Sequence, residues 1–441
     1  MKKTVLTALL ATAALLPAAA QKQWTLGECI DYAVENNISI KQSVLEVRQR
    51  EVDLESARGS RLPVISASGS ENFSFGRGLT SENTYVNTNT TSTSLSLGLS
   101  MPLFRGLKLS NTVEARKLNL EAAEANLEKM KDDIRLAVAK AYVTILFNTE
   151  IAEVAASQVR IDSLQVVRLE AMANVGKASA AEVAQQKASL AQSRLAAVQA
   201  DNNLSLSVLD LVQLLELPSP KGFTVAKLDA DDILSPLKDP EAIYSEAIMI
   251  KPAVKAEKTL LDMAQRNIRI ARADFFPSLS LSGGIGSNYY TSNGRESARF
   301  FEQLGTNFSQ YVGLSLNIPI FSGLSVRSGV KSAKISYEAQ KLRLDNTCKQ
   351  LYKEIQQAYY NALASGSKYE KSLSAVESAR EAFTLVEAKY EEGKADITQF
   401  DQAKNNYMSA LSDLAQARYE NFYMRKILDF YSGIEMKSLF L

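Results

Sequence analysis

The chain is written twice. Ser100-Met101-Pro102-Leu103-Phe104-Arg105-Gly106-Leu107 reappears as Asn317-Ile318-Pro319-Ile320-Phe321-Ser322-Gly323-Leu324, an offset of 217 that carries Val113 onto Val330, Ala141-Tyr142 onto Ala358-Tyr359 and Gly176-Lys177-Ala178 onto Gly393-Lys394-Ala395 without a gap. Upstream the offset is 214, pairing Ala33 with Ala247, Ala57-Arg58 with Ala271-Arg272 and Leu62-Pro63 with Phe276-Pro277. The three-residue difference falls between the two prolines of each copy and reads as a change in loop length. A long repeat of this kind has to be read before any local propensity, because each copy must fold in the same way. Each copy runs helix, Pro, strand, loop, strand, Pro-x-Phe-x-Gly-Leu, long helix, Gly-Lys turn, returning helix. The pattern predicts a first copy over 21–217, with strands near 63–75 and 92–104 and a hairpin tip near 176. A proline-rich linker over 218–239 precedes the second copy at 240–433, which has strands near 277–289 and 308–321, a tip near 393 and a tail at 434–441.

Between Leu107 and Val175 there is neither proline nor glycine, and Leu120, Leu127, Ile134 and Ala141 recur every seventh residue with Ala123, Met130 and Ala137 three further on. That is the a/d seam of helices packed as coiled coils, and its alanines permit close approach. The second copy behaves alike from Val330 through Leu351, Ala358 and Val376 to Tyr390. A helix of 69 residues extends on the order of 100 Å at 1.5 Å per residue. The returning helix, Ala178 to Glu216, has 39 residues, and the leading helix, Leu26 to Ser60, has 35, so the two short ones laid end to end match the long one. From the helices alone, a periplasmic coiled-coil adaptor or structural protein fits as well as any other reading.

The strands add what the helices lack. Leu95, Leu97, Leu99, Met101 and Leu103 alternate with Ser94, Ser96, Gly98, Ser100 and Pro102, and Val312, Leu314, Leu316, Ile318 and Ile320 alternate with Tyr311, Gly313, Ser315, Asn317 and Pro319. One uncharged apolar face against one small polar face suits a transmembrane β-barrel, with lipid outside and water within. Leu95, Leu97, Leu99, Met101, Val312, Leu314, Leu316 and Ile318 are the expected lipid-facing residues. The loops between strands are rich in Ser, Thr and Asn, with Phe73, Phe75, Tyr85, Tyr289, Tyr290, Phe300, Phe301 and Phe308 nearby as a candidate aromatic girdle. Four strands cannot close a barrel and an open sheet edge cannot sit in lipid. The chain must therefore oligomerise, with a dimer or trimer the smallest solutions.

The amino terminus gives the compartment. Lys2 and Lys3, the apolar run Val5 to Leu16 and Ala18-Ala19-Ala20 before Gln21 have the layout of a secretory signal peptide over 1–20. Cys29 lies too far on for lipid attachment at that cleavage site. Without Lys2 and Lys3 the 50 basic residues fall to 48 against 49 acidic ones, so no basic excess points to nucleic acid. Two cysteines, Cys29 and Cys348, form neither a disulfide framework nor a metal site by spacing and read as two small helix residues. Histidine is absent, which removes the commonest general base and transition-metal ligand. No phosphate loop or catalytic triad stands out, and a carboxylate glycosidase would need a compact pocket that rods do not supply. The expectation is a protein without cofactor, metal or catalysis.

The order of these motifs resembles the TolC family of outer-membrane factors: Ala33-x-x-x-Asn37 in the leading helix, Ala57-Arg58 and Pro63 ending it, the repeated Pro-x-Phe-x-Gly, and the two Gly-Lys-Ala tips. The likeness covers about Trp24 to Gly433. It implies a mixed α+β membrane protein in which a homotrimer forms a twelve-stranded barrel in the outer membrane and an α-helical tunnel in the periplasm. It further implies an exit duct for solutes or secreted polypeptides, with a periplasmic adaptor and an inner-membrane pump as partners. The tips at Gly176, Lys177, Gly393 and Lys394 would dock the adaptor. By the same resemblance Tyr390 matches a tyrosine of the closed entrance and Glu182 its acidic partner. Gln399 and Gln402, with Asp396 beside them, stand where relatives carry rings of aspartate, and Ala395 stands in place of a basic residue.

Overall fold

The computed structural model describes residues 23–79, 83–228, 236–293 and 296–434. The expected signal peptide, part of the linker and all but the first residue of the tail lie outside them. In chain order the elements are β1 (Gln23–Trp24), α1 (Leu26–Asn36), α2 (Ile38–Gly59), β2 (Val64–Leu79), β3 (Tyr85–Arg105), α3 (Lys108–Asn174), α4 (Ala180–Leu214), β4 (Thr224–Val225), α5 (Pro240–Ile250), α6 (Pro252–Ala273), β5 (Ser278–Ser292), α7 (Phe300–Thr306), β6 (Ser309–Asn317), α8 (Ser325–Glu391) and α9 (Ile397–Tyr431). They divide into two compact units. The first holds the residues up to Val44, Ala125–Lys255 and Asn346 onward; the second holds Leu45–Glu124 and Ala256–Asp345.

In the first unit α1 begins at a reciprocal cap, Thr25 Oγ1 accepting from Glu28 N at 3.3 Å and Glu28 Oε2 from Thr25 N at 3.0 Å. The sequence reads one helix from Leu26 to Ser60; the structure breaks it at Asn37. The cause is tertiary. Asn37 leaves helical geometry at φ −60, ψ 131, and its buried amide donates to Leu214 O at 3.1 Å while its oxygen accepts from Ser39 N at 2.9 Å. One side chain thus serves the start of α2 and a free carbonyl at the end of α4. The matching break in the second copy is at Lys251, followed by Pro252 at the start of α6. Lys251 is 8% exposed; its ammonium donates to Phe430 O at 3.0 Å and lies 3.4 Å from the Phe430 ring centroid. Burial pulls its pKa down to about 8, against the pull of the Asp132 carboxylate and with the help of Arg135.

The core of this unit joins Leu26, Cys29, Ile30 and Ala33 of α1 to Val138, Ala139, Tyr142, Ile145 and Leu146 of α3, Leu211 of α4 with the adjoining Leu215, and Phe430 of α9. The segment between the copies, read from its prolines as a plain linker, contributes a strand: β4 pairs in parallel with β1, Trp24 opposite Val225. Trp24 stacks on Phe223 at 5.7 Å, and the buried Tyr142 hydroxyl lies 2.6 Å from Ala226 O.

The second unit carries one antiparallel sheet in the order β2-β3-β5-β6. Its register aligns the apolar residues of all four strands. Ile65 stands opposite Leu99, Leu99 opposite Gly283 and Gly283 opposite Val312; one step along, Ala67 faces Leu97 and Leu97 faces Ile285. Because side chains alternate along a strand, all of these share a face. The other face shows Ser66, Ser68, Gly98, Ser96, Gly284 and Tyr311. Gly284 is required there, since a Cβ would meet the Tyr311 ring at 2.8 Å.

Strand lengths differ from the sequence reading. β2 and β3 reach further, to Leu79 and from Tyr85, because Ser, Thr and Asn of the expected loop pair across the hairpin from Asn72↔Ser92 to Leu79↔Tyr85. β6 stops at Asn317 rather than 321, and Ile318, expected on the lipid face of the strand, lies just past its end. Asn317 pairs with Ser278, the first residue of β5, so the residue next in register with Ile318 is Pro277, which has no N–H to donate to the ladder. Both copies leave the sheet through consecutive left-handed residues, Gly106 (φ 56) with Leu107 (φ 62) and Gly323 (φ 57) with Leu324 (φ 67). The Pro-x-Phe-x-Gly-Leu motif is the sequence trace of that turn.

Candidate functional site

Two features of the chain stand apart from its core: the helical hairpin tips in the first unit and the sheet in the second. At each tip the long helix ends in one geometry. Gly176 (φ 74) donates to Ala173 O at 3.0 Å and Lys177 N to Met172 O at 2.8 Å; Gly393 (φ 74) donates to Tyr390 O at 3.1 Å and Lys394 N to Lys389 O at 2.8 Å. These are paired C-terminal caps that demand a left-handed residue, so glycine is needed for its backbone freedom. Among the described residues nothing lies within 4 Å of a Cβ placed on either.

The returning helices start differently. Ser179 and Glu182 cap α4 reciprocally, Glu182 Oε2 accepting from Ser179 N at 2.7 Å and Ser179 Oγ from Glu182 N at 3.1 Å. These hydrogen bonds hold the Glu182 carboxyl below its ordinary pKa. Asp396 caps α9 alone, accepting from Gln399 N at 2.8 Å. Asp396, Gln399 and Gln402 are all exposed, and Gln402 donates to Asn406 at 2.9 Å. Lys177 is exposed, and Lys394 pairs with Glu392 at 2.6 Å.

Tyr390 sits between hairpins. Its ring packs on the fully buried Phe400 at 5.0 Å, and the Arg168 guanidinium of α3 lies 5.2 Å from its centroid while also reaching Glu391 at 3.5 Å. Burial raises the Tyr390 hydroxyl pKa; Arg168 opposes this, and Asp401 and Glu182 add to it. The structure therefore brings Tyr390 and Glu182 into one electrostatic neighbourhood but commits Glu182 to its own helix cap. Arg168, Phe400, Asp162 and Lys404 belong to this region and escaped the sequence reading. A signal existed for the last two: each is a charge on an apolar stripe, Phe400-Lys404-Met408 and Asp162-Val166-Leu169.

On the sheet, Leu95, Leu97, Val312, Leu314 and Leu316 are exposed on the apolar face, Leu99 and Met101 half-buried. Glu71 on the same face accepts from Thr93 at 2.8 Å, and Phe73 and Phe75 follow it. An apolar band bounded by a polar row and then aromatics is the layout of a wall facing lipid. Beyond β5, Gln303 of α7 donates to Tyr290 O and accepts from Tyr290 N, both at 3.0 Å, and Phe300 packs edge-on to Tyr289 at 4.9 Å. β2 and β6 each pair on one side only among the described residues. No described helix is long and apolar enough to cross a membrane.

The sequence pattern of the outer membrane efflux protein family matches residues 29–216 and 243–421. The chain is similar to outer membrane protein TolC of Escherichia coli, 25% identical over 313 residues that cover 69% of this chain and 63% of TolC. It thus spans less than two thirds of that relative's length. It is also similar to outer membrane efflux protein BepC of Brucella suis, 22% identical over 95% of this chain and 87% of BepC. Its fold matches the Campylobacter jejuni CmeC outer membrane channel with a TM-score of 0.80 at 18% identity, covering 93% of this chain and 86% of the channel. A membrane protein from Pseudomonas aeruginosa matches equally, TM-score 0.80, 18% identical, over 94% of both chains.

Proposed function

The chain belongs to the outer membrane efflux protein family, and from that premise we propose that it is the outer-membrane channel of a tripartite export system, conducting solutes and catalysing nothing. The observation that carries this is the register of the sheet, which gathers the apolar residues of four strands onto one continuous face. Such a face suits lipid, and its two unpaired edges suit a second copy of the chain. Three copies of a four-stranded sheet would close twelve strands, an even number within the range of such barrels.

The duplication supplies the register between chains. Within one chain the second strand of copy one pairs with the first strand of copy two, as Leu99↔Gly283, Leu97↔Ile285 and Leu95↔Ser287. Carried through the two offsets, the same geometry joins β6 of one chain to β2 of the next as Leu316↔Gly69, Leu314↔Glu71 and Val312↔Phe73. Leu316, Leu314 and Val312 then share a face with Gly69, Glu71 and Phe73, a match that a slip of one residue would destroy.

On this reading the hairpin tips form the periplasmic entrance. Gly176, Lys177, Gly393 and Lys394 present the surface for a periplasmic adaptor, behind which an inner-membrane pump supplies the energy. Tyr390 acts through its stack on Phe400 and its contact with Arg168, and Asp396, Gln399 and Gln402 line the approach with a single carboxylate per chain. Glu182 supports the tip as a cap. The test is fractionation followed by planar-bilayer recording of the purified protein. The expected result is recovery in detergent-extracted outer membrane and discrete conductance steps, with a weaker cation preference in Asp396→Asn. Recovery as a soluble periplasmic protein without conductance would return the chain to an adaptor or structural role.

A further inference from the structure

Lys404 of α9 is fully buried, and so is Asp162 of α3, whose Oδ1 accepts from the Lys404 ammonium. The same ammonium reaches Asp401 Oδ1 at 2.8 Å, and Gln186 of α4 donates to Asp162 Oδ1 at 3.5 Å. The two hairpins are thus tied by an ion pair in their interior: Asp162 and Gln186 belong to the first, Lys404 and Asp401 to the second. Lys404 follows Gly393 by eleven residues and Asp162 precedes Gly176 by fourteen, so the tie lies a few helical turns behind the tips.

Packing does not call for it. Phe400 and Met408, one turn to either side of Lys404, are buried and apolar, and an apolar pair in place of two charges is often neutral or better for stability. Nor is it inherited from the duplication. The counterpart of Lys404 is Lys187, which is exposed and pairs with Glu170 at 2.6 Å, and the counterparts of Asp162 and Asp401 are Ala379 and Ala184. The cluster is also short of donors. No protein donor reaches Asp162 Oδ2, Gln165 Oε1 or Gln186 Oε1, all buried. Closed packing therefore leaves three acceptors without a protein donor, and parting the hairpins would expose them, with both charges, to solvent. An apolar seam would gain nothing from the same motion. The arrangement holds one register firmly and gives back hydration when it separates.

We propose that Lys404 and Asp162 form an internal catch between the two hairpins of each chain, which keeps the entrance narrow and releases when it widens. The proposal rests on the channel reading for its consequence, though not for the tie itself. Two measurements on the full-length protein separate these. Spin labels at Lys177→Cys and Lys394→Cys, in a Cys29→Ser, Cys348→Ser background diluted with unlabelled chains, report the distance between tips of one chain. Planar-bilayer recording reports the passage. Asp162→Asn and Lys404→Met should each lengthen and broaden the tip distance and raise conductance at least twofold. The exchanged pair Asp162→Lys with Lys404→Asp should return both readings toward the parent, which a loss of packing alone would not allow, and Lys187→Met should change neither. Gln186→Ala removes a neutral donor and should shift the distance less in the same direction; it stands in for any charge variant that does not assemble. Parental distances in Asp162→Asn, Lys404→Met or a substituting Gln186→Ala would overturn the catch. Altered distances with no conductance in any variant would uphold the catch and remove the channel.

Discussion

The two copies make the same turn out of the sheet and meet different surroundings. At Gly106 a Cβ would stand 2.7 Å from Ala273 O and 2.8 Å from Phe276 Cβ, so the turn is seated on the end of α6. At Gly323, with a matching φ, nothing lies within 4 Å among the described residues. The neighbouring side chains follow: Phe104 is 42% exposed and Phe321 84%, Leu103 47% and Ile320 96%. Two sequences that match so closely call for matching surfaces. By the repeat offset, the matching seat for copy two would be the end of the first copy's leading helix, Gly59 to Leu62, on a neighbouring chain of the proposed assembly, and Leu62 is 62% exposed. In the proposed assembly, what is internal for copy one would be intermolecular for copy two.

Breaking that equivalence is the largest effect expected. Gly106→Ala combines left-handed strain with overlap against backbone and should cost roughly 2–4 kcal/mol. In an isolated chain Gly323→Ala would carry only the strain, roughly 1–2 kcal/mol. If the next chain fills the seat, thermal unfolding of the assembled protein should show equal losses for both; a clearly smaller loss at Gly323 would leave copy two without a neighbour.

A second pair of equivalent positions sharpens the comparison with opposite signs. Asn37 and Lys251 occupy the same break between helices, one neutral and hydrogen-bonded, one a buried ammonium. Asn37→Leu strands Leu214 O and Ser39 N and should destabilise by about 1–3 kcal/mol. Lys251 loses its proton in the folded state near pH 8 but in the unfolded chain near 10.5. Between those values the unfolded chain binds more protons, so stability should rise with pH; below pH 8 the cost of the buried charge is fully present. Lys251→Met should abolish that rise and stabilise the protein at pH 7, by at most about 3 kcal/mol less about 1 for the lost bond to Phe430 O. Melting temperatures measured across pH 7 to 11 decide it, and a rise that persists in the variant would assign the titration elsewhere.

The smallest effect separates the two tips. Ser179→Ala combined with Glu182→Ala removes both halves of a reciprocal cap and Asp396→Ala a single bond, each worth about 1 kcal/mol, the first somewhat more. Hydrogen exchange of the first-turn amides of α4 and α9 should speed in that order.

Where a residue's demand was local, the sequence displayed it. The Gly-Lys tips, the Pro-x-Phe-x-Gly-Leu turns and the alternation of Leu95, Leu97 and Leu99 all follow from backbone angles or a period of two. Where the demand was tertiary, it was hidden. Asn37 breaks a helix because Leu214 and Ser39 need its amide, while Pro252 announces the same break openly in the second copy. Ser179 and Glu182 are spaced as a capping box, yet likeness to a family entrance drew Glu182 toward a different role. Lys404 and Asp162 each interrupt an apolar stripe, which marks a buried charge but does not name its partner on another helix. The pairing of β4 with β1 depends on Trp24 and Phe223 meeting across most of a copy, which no local pattern carries.

The central claim is that each chain completes its sheet with its neighbour in the register its own two copies use. Oxidative cross-linking of Val312→Cys with Phe73→Cys, in a background lacking Cys29 and Cys348, tests it in intact outer membranes. The account predicts covalent dimers and trimers and nothing larger, with no linkage for Val312→Cys paired with Ser74→Cys, whose side chain points to the opposite face. Ladders that stop at two or run beyond three, or linkage only in the slipped pair, would contradict it.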